Sequence, residues 1–286
     1  MCRAPPPRAP GGRPRQWSGR PPGIPPPSPR ALQRRTRKAV ARGSRARYSS
    51  YPRLHEAATG VPVIAYGVPV TDEEQFERWA HAGVQRVLRP GDRLLVRRGV
   101  GSIQEAYNGF RAEVADNPAL EALVLLHQDT VIADDDFPAR ILAALAEPDA
   151  AVVGCIGARG VTSLAWWDAV TTFGEVGAPE LSETGMSFGD VTGVTTDVET
   201  VDGLLMALGP WAVRNVAFDE AFSGVFHGYD LDYCMAVRAA GGRVLVTPLD
   251  VVHHGIWRSE RSDAWIQAFV MLAHKWGLRG RPRPDF

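Results

Sequence analysis

The chain has 286 residues, with 32 acidic against 32 basic side chains, so no overall charge would draw it to a polyanion. Its three cysteines (Cys2, Cys155, Cys234) lie far apart and form no CxxC pair, which excludes a disulfide scaffold and a cysteine-held zinc ion. No apolar stretch reaches the roughly 18–20 residues that cross a bilayer.

The neutral total hides an asymmetry. Residues 1–55 hold fourteen Arg and Lys and no acidic residue, which leaves eighteen basic and thirty-two acidic side chains beyond them. The stretches PPPRAP and PPGIPPPSPR carry no apolar cluster to offset chain entropy, so residues 1–57 read as a disordered arm without a folded role. Trp17 is its one tryptophan and it has no basic helical face, so no nucleic-acid partner is expected. It lacks the apolar centre of a secretory signal and is too rich in proline for a transit peptide. Residues 58–286 are expected to form one soluble, cytoplasmic domain.

Within that domain, residues 61–70 (VPVIAYGVPV) predict a strand. Thr71 and Glu74 fit a capping box for a helix with Phe76, Trp79, Ala80, Val84 and Val87 at helical spacing, ended by Pro90 and Gly91. A short strand follows at 94–96. Ser102 and Glu105 form a second capping box, opening a helix with Ile103, Ala106, Tyr107, Phe110 and Val114 on one face. Pro118 cannot continue it. Residues 122–126 (ALVLL) then run apolar without a break, the pattern of a strand covered on both faces. Strand, helix, strand, helix, strand is the order of an α/β fold with a mostly parallel twisted sheet, suited to a nucleotide. Neither GxGxxG nor GxxxxGK[ST] occurs, which argues against dinucleotide and P-loop chemistry.

The apolar run ends in His127, Gln128 and Asp129, at the carboxyl edge where open α/β sheets place their ligands. A carboxylate there can hold a divalent cation, and the cation a phosphate. The plain alternative is that Asp129 only begins the loop through Asp134, Asp135 and Asp136. Pro138 suits the first position of a further helix, and residues 150–156 (AAVVGCI) predict another buried strand. Residues 161–200 read as a long irregular loop in which Trp166 and Trp167 either stack on a sugar face or plug the loop onto the core. Residues 201–208 (VDGLLMAL) predict a strand, and a helix runs from about Asp230 to a stop at Gly241 and Gly242. Residues 243–247 form a strand, and His253 and His254 follow the last one. Asp230 and Asp232 at a helix start gain from its dipole whatever else they do.

These pieces together resemble the family 2 glycosyltransferases, of GT-A fold, and within them a branch named for a streptomycin-biosynthesis glycosyltransferase-like protein. The resemblance runs from Val61 to Ser259 and rests on SIQEAYNGF, LHQDT, VDGLLMA, FDEAF, HGYDLDYC and VVHHG in that order. It implies that LHQDT takes the place of the acidic motif that binds Mg²⁺ or Mn²⁺ on a nucleotide-sugar diphosphate. Asp129 is then a metal ligand, with His127 or Gln128 where another carboxylate is usual, and His253 or His254 completes the site. The family's Glu-Asp pair falls on Tyr229 and Asp230, which makes Asp230 the base for an acceptor hydroxyl, with Asp232 its rival. Arg97 and Arg98 stand where an aspartate usually meets the nucleotide base. Substrate contacts are expected from Ala65, Tyr66, Asn108, Trp167, Asp202, Gly203, His227 and Asp232. The donor would be a nucleotide sugar, the acceptor a glycan or small molecule, and the transfer inverting. The rival classes are a metal-dependent hydrolase built on His127, Asp129, His253 and His254, and a noncatalytic nucleotide-sugar-binding protein.

Overall fold

The computed structural model describes residues 61–279 apart from 180–181, 190–192, 225 and 256–261, and the arm expected at 1–57 lies outside the described residues. Strand β1 (Val63–Val70) is buried along nearly its whole length. It pairs in parallel with β2 (Arg93–Arg98) and with β3 (Leu120–Leu126), as an unbroken apolar run requires. Helix α1 joins β1 to β2 in three continuous segments, Glu73–Gln75, a π-helical Phe76–His81 and Ala82–Val87. Its cap is Asp72, whose carboxylate accepts from Gln75 N at 3.1 Å, rather than the Thr71 that the sequence suggests. Thr71 N and Asp72 N both donate to Gln128 Oε1 instead (2.7 and 3.0 Å). Helix α2 (Ile103–Val114) is capped as expected: Ser102 Oγ accepts from Glu105 N at 3.1 Å.

After β3 come a short β4 (Thr130–Ile132) and α3 (Phe137–Leu145), in which Pro138 takes the second helical position. Two stretches that look like single strands are each divided between sheets. Residues 150–156 become β5 (Ala150–Gly154) and β6 (Ile156–Arg159), parted at Cys155. Residues 201–208 become the end of β10 (Thr200–Val201) and β11 (Leu205–Leu208), parted by a turn in which Asp202 Oδ1 accepts from Leu204 N at 2.9 Å. The expected long loop at 161–200 holds β7 (Thr171–Ala178), β8 (Ser182–Ser187) and β9 (Thr196–Val198). Its glycines and polar residues hide the strand pattern, although β7 pairs with its sequence neighbours β6 and β8; β9 finds its partner far away, in Arg243–Val246.

The remaining elements are α4 (Pro210–Asn215), α5 (Tyr229–Ala239), β12 (Arg243–Val246), β13 (Val251–His253) and α6 (Asp263–Trp276). Among the described residues the main sheet has seven strands in the order β2-β1-β3-β11-β5-β12-β9, with β11 and β9 antiparallel to their neighbours. Alternate residues of each strand serve opposite faces. Ile64, Tyr66, Val124 and Leu126 pack with α1 and α3, whereas Ala65, Leu123 and Leu125 pack with α2, α4 and α5. A second sheet runs β10-β6-β7-β13-β4, with β8 on β7. In it His253 pairs with Thr130, the residue after Asp129, and so the second sheet brings the last strand to the edge of the first. No helix among the described residues is long and apolar enough to cross a membrane.

Candidate active site

At the end of β3 the chain leaves the sheet, and His127 N donates to Leu204 O at 3.0 Å. The His127 ring then lies with Nδ1 4.0 Å from Asp129 Oδ1, and His253 Nε2 lies 3.4 Å from the same oxygen. One ligating atom from each of these three residues falls within 4.8 Å of the others. Asp129 Oδ1 is buried with no hydrogen-bond donor among the described residues. Burial alone would raise the Asp129 carboxyl, but the adjacent His253 and His127 rings outweigh it and hold it below the usual range. Burial also holds His127 below the ordinary imidazole value, against the pull of Asp129, so the ring is neutral and fit to be a ligand. At Gly255 a Cβ would come within 2.5 Å of the His253 ring and 2.9 Å of Asp129 Oδ2, so the cluster closes only over a glycine. Two imidazoles and a carboxylate with a bare buried oxygen fit a divalent transition ion such as Mn²⁺ better than Mg²⁺, which prefers oxygen.

Of the other residues expected at this centre, two have different work. Gln128 points back to the start of α1. His254, consecutive with His253 on a strand end, turns to the opposite side and stacks on Trp79 (centroids 4.6 Å, 6° between planes), while its N donates to Asp129 O at 2.8 Å.

Two hollows flank the cluster. One, of about 290 Å³, is lined by Thr71, Ser102, Gln128 and Asp129 and lies over the carboxyl ends of β1 and β2. The other, of about 410 Å³, is lined by Asp202, Asp230, Trp166, Trp167, His227 and Trp265 among others. His127 and Phe226 border both. Gly228, in the left-handed region (φ 83°), turns the chain into α5 and aims Tyr229 and Asp230 inward. Asp230 Oδ2 accepts from Gly203 N at 3.0 Å, and Oδ1 from Leu231 N at 2.8 Å. Burial, with Asp202 close by, pushes the Asp230 carboxyl up to about 7. Asp202 is held by Trp166 Nε1 at 3.1 Å. This divides the tryptophan pair: Trp166 is a buried plug that orients a carboxylate, and Trp167 is 42% exposed in the cavity wall. His227 is half-buried, and that burial lowers its imidazole.

Four of the expected substrate contacts lie elsewhere. Ala65 and Tyr66 are fully buried between the sheet and its helices. Asn108 Nδ2 donates to Phe218 O and Glu220 Oε1, both at 2.9 Å. Asp232 faces α6, where Lys275 Nζ and Trp276 Nε1 bond it at 2.7 and 2.6 Å. Asn108 and Asp232 lie in named motifs and Ala65 and Tyr66 in the first strand, and packing against other elements decides where each points. Trp265 and Phe226 also wall the second hollow, and no spacing or motif in the sequence marks either of them as a site residue.

Comparison with known proteins bears on the family and the fold. Residues 94–268 match the sequence profile described as a glycosyltransferase like family. Streptomycin biosynthesis protein StrF of Streptomyces griseus is 32% identical over 195 residues, which cover 67% of this chain and 66% of that protein. The chain therefore spans just under two thirds of that relative's length. A crystal structure of GalNAc-T7 with UDP, GalNAc and Mn²⁺ superposes with a TM-score of 0.50 at 11% identity, over 76% of this chain and 49% of that one, and shows a shared GT-A fold. A mannosyltransferase, PcManGT of Pyrobaculum calidifontis, in complex with GDP-Man and Mn²⁺, reaches 0.43 at 16% identity over 89% and 73% of the two chains. The chain belongs to the glycosyltransferase like family.

Proposed function

We propose that the protein transfers a sugar from a nucleotide-diphosphate sugar to an acceptor hydroxyl, with inversion. The observation that carries this reading is the His127, Asp129 and His253 cluster set between two hollows at the carboxyl edge of a mostly parallel sheet. The smaller hollow takes the nucleotide, and the larger, aromatic one takes the sugar and the acceptor. His127, Asp129 and His253 would hold a divalent cation, which neutralises charge on a departing diphosphate. GalNAc-T7, with UDP and Mn²⁺ bound, supports that assignment.

The chain's own residues do the rest. Asp230 accepts the proton of the acceptor hydroxyl as the oxygen bonds to the anomeric carbon and the diphosphate leaves with the bonding pair. A carboxyl poised at about 7 suits this task, because a base is most useful when its pKa lies near the working pH. Asp202, oriented by Trp166, helps to keep Asp230 that high. Trp167 and Phe226 offer ring faces to a sugar. The division of the chain near residue 57 and a cytoplasmic location, in keeping with buried free Cys155 and Cys234, belong to the same reading.

The test is calorimetric titration of UDP- and GDP-sugars with and without Mn²⁺, for the protein and for Asp129→Ala. Binding that needs Mn²⁺ and disappears in the variant is expected. Equal affinity in the variant overturns the assignment, and hydrolysis of the donor regardless of acceptor points to the hydrolase instead.

A further inference from the structure

The position where the resemblance puts a glutamate is held by Tyr229, and the metal reading alone gives that tyrosine nothing to do. The residue is 4% exposed, and its hydroxyl stands 2.5 Å from His127 Nε2. The other nitrogen of the same ring, Nδ1, is the one that faces Asp129 Oδ1. A neutral imidazole carries one hydrogen, on one nitrogen, and only the bare nitrogen can bind a metal.

We propose that Tyr229 is a positioning residue: its hydroxyl accepts the His127 Nε2 hydrogen, which leaves Nδ1 bare and aimed at the space between Asp129 and His253. The inference rests on the reading of His127, Asp129 and His253 as a metal centre.

The tyrosine is well placed to impose an orientation. Its ring is fenced by Tyr107, Phe218 and Phe226, with centroids 5.6, 6.4 and 6.0 Å away. On the remaining side lies Gly203, where a Cβ would fall 2.1 Å from the Tyr229 hydroxyl oxygen. The hydroxyl therefore occupies room that only glycine leaves. Gly203 is also the residue whose N–H holds Asp230, so one glycine serves the ligand side and the base side of the site together. Partners behind metal ligands commonly set the ring orientation, and losing one typically costs about 10–100-fold in metal affinity.

The experiment uses the full chain in three forms: unaltered, Tyr229→Phe and Gly203→Ala. Long-range ¹⁵N–¹H NMR on the metal-free protein reads the His127 tautomer, and electron paramagnetic resonance of added Mn²⁺ alone reads affinity. The unaltered protein should show hydrogen on Nε2. Tyr229→Phe should show mixed tautomers and bind Mn²⁺ about 10–100-fold more weakly, at a melting temperature that excludes unfolding. Gly203→Ala, which keeps the hydroxyl but displaces it, should weaken Mn²⁺ in the same direction, and it keeps the question answerable should Tyr229→Phe fold poorly. Hydrogen on Nδ1 in the unaltered protein overturns the proposal, as does Mn²⁺ affinity unchanged in Tyr229→Phe. An unaltered protein that binds no Mn²⁺ removes the metal centre itself and this inference with it, a result distinct from equal binding in the variants.

Discussion

Asp230 and Asp232 lie two residues apart on the first turn of α5, in different surroundings. Asp230 borders the aromatic cavity and has backbone N–H groups as its hydrogen-bond partners, whereas Asp232 is tied to Lys275 and Trp276. The same substitution should therefore do opposite things at the two sites. Asp230→Asn should lower turnover by about 10²–10⁴-fold with donor affinity unchanged, since general-base catalysis is typically worth that much. The folded carboxyl keeps its proton up to about 7, and the unfolded chain releases it near 3.8. The native state thus binds more protons between those values, so stability falls as pH rises through that window and stays reduced above it. Asp230→Asn removes this penalty, so its melting temperature at pH 8 should equal or exceed that of the unaltered protein, while turnover, which in the unaltered protein should rise with pH through about 7 if Asp230 is the base, should be lost. Asp232→Asn should keep turnover and lose stability by about 1–3 kcal/mol, because a buried charged hydrogen bond is broken. Turnover that survives in Asp230→Asn and collapses in Asp232→Asn would exchange the roles.

At the scale of elements, what the sequence made legible is what is locally encoded. The first two helices announce themselves through caps and 3.6-residue spacing, and β1 and β3 through apolar runs, so the first half of the main sheet and the position of Asp129 follow from short-range rules. The second half obeys long-range rules. Whether residues 150–156 make one strand or two depends on partners that β5 finds in β12 and β6 in β7. The choice between His253 and His254 depends on which side of β13 meets β4, and a pair of adjacent histidines cannot declare that. Gln128 is the instructive case. It sits inside the motif that should ligate, yet its amide caps the backbone of Thr71 and Asp72. Gln128→Ala should lower stability by about 1 kcal/mol, the usual net worth of a lost hydrogen bond, with the urea m-value unchanged and Mn²⁺ still bound. Loss of Mn²⁺ binding in that variant would make Gln128 a ligand after all.

For the molecule as a whole, the described residues pack into an apolar layer on each face of the main sheet and a smaller cluster around Leu231 and Leu272, while residues 1–55 carry no apolar cluster in their sequence. A chain starting near Leu54 should melt at the same temperature as the full chain and bind nucleotide sugar equally, and a drop of several degrees would give the arm a structural role. The pairing of β13 with β4 carries a further consequence. His127 and Asp129 lie on one side of the pairing and His253 on the other, so a shared ligand across them closes a loop of roughly 120 residues, whose cost in chain entropy grows only with the logarithm of its length. Such a closure acts as a removable cross-link. With the proposed cation bound, the seam between the two sheets would be a graded fastening, tighter as occupancy rises by RT ln(1 + [L]/Kd), and the concentration of a small ion would be one of the terms that sets how firmly β13 is held.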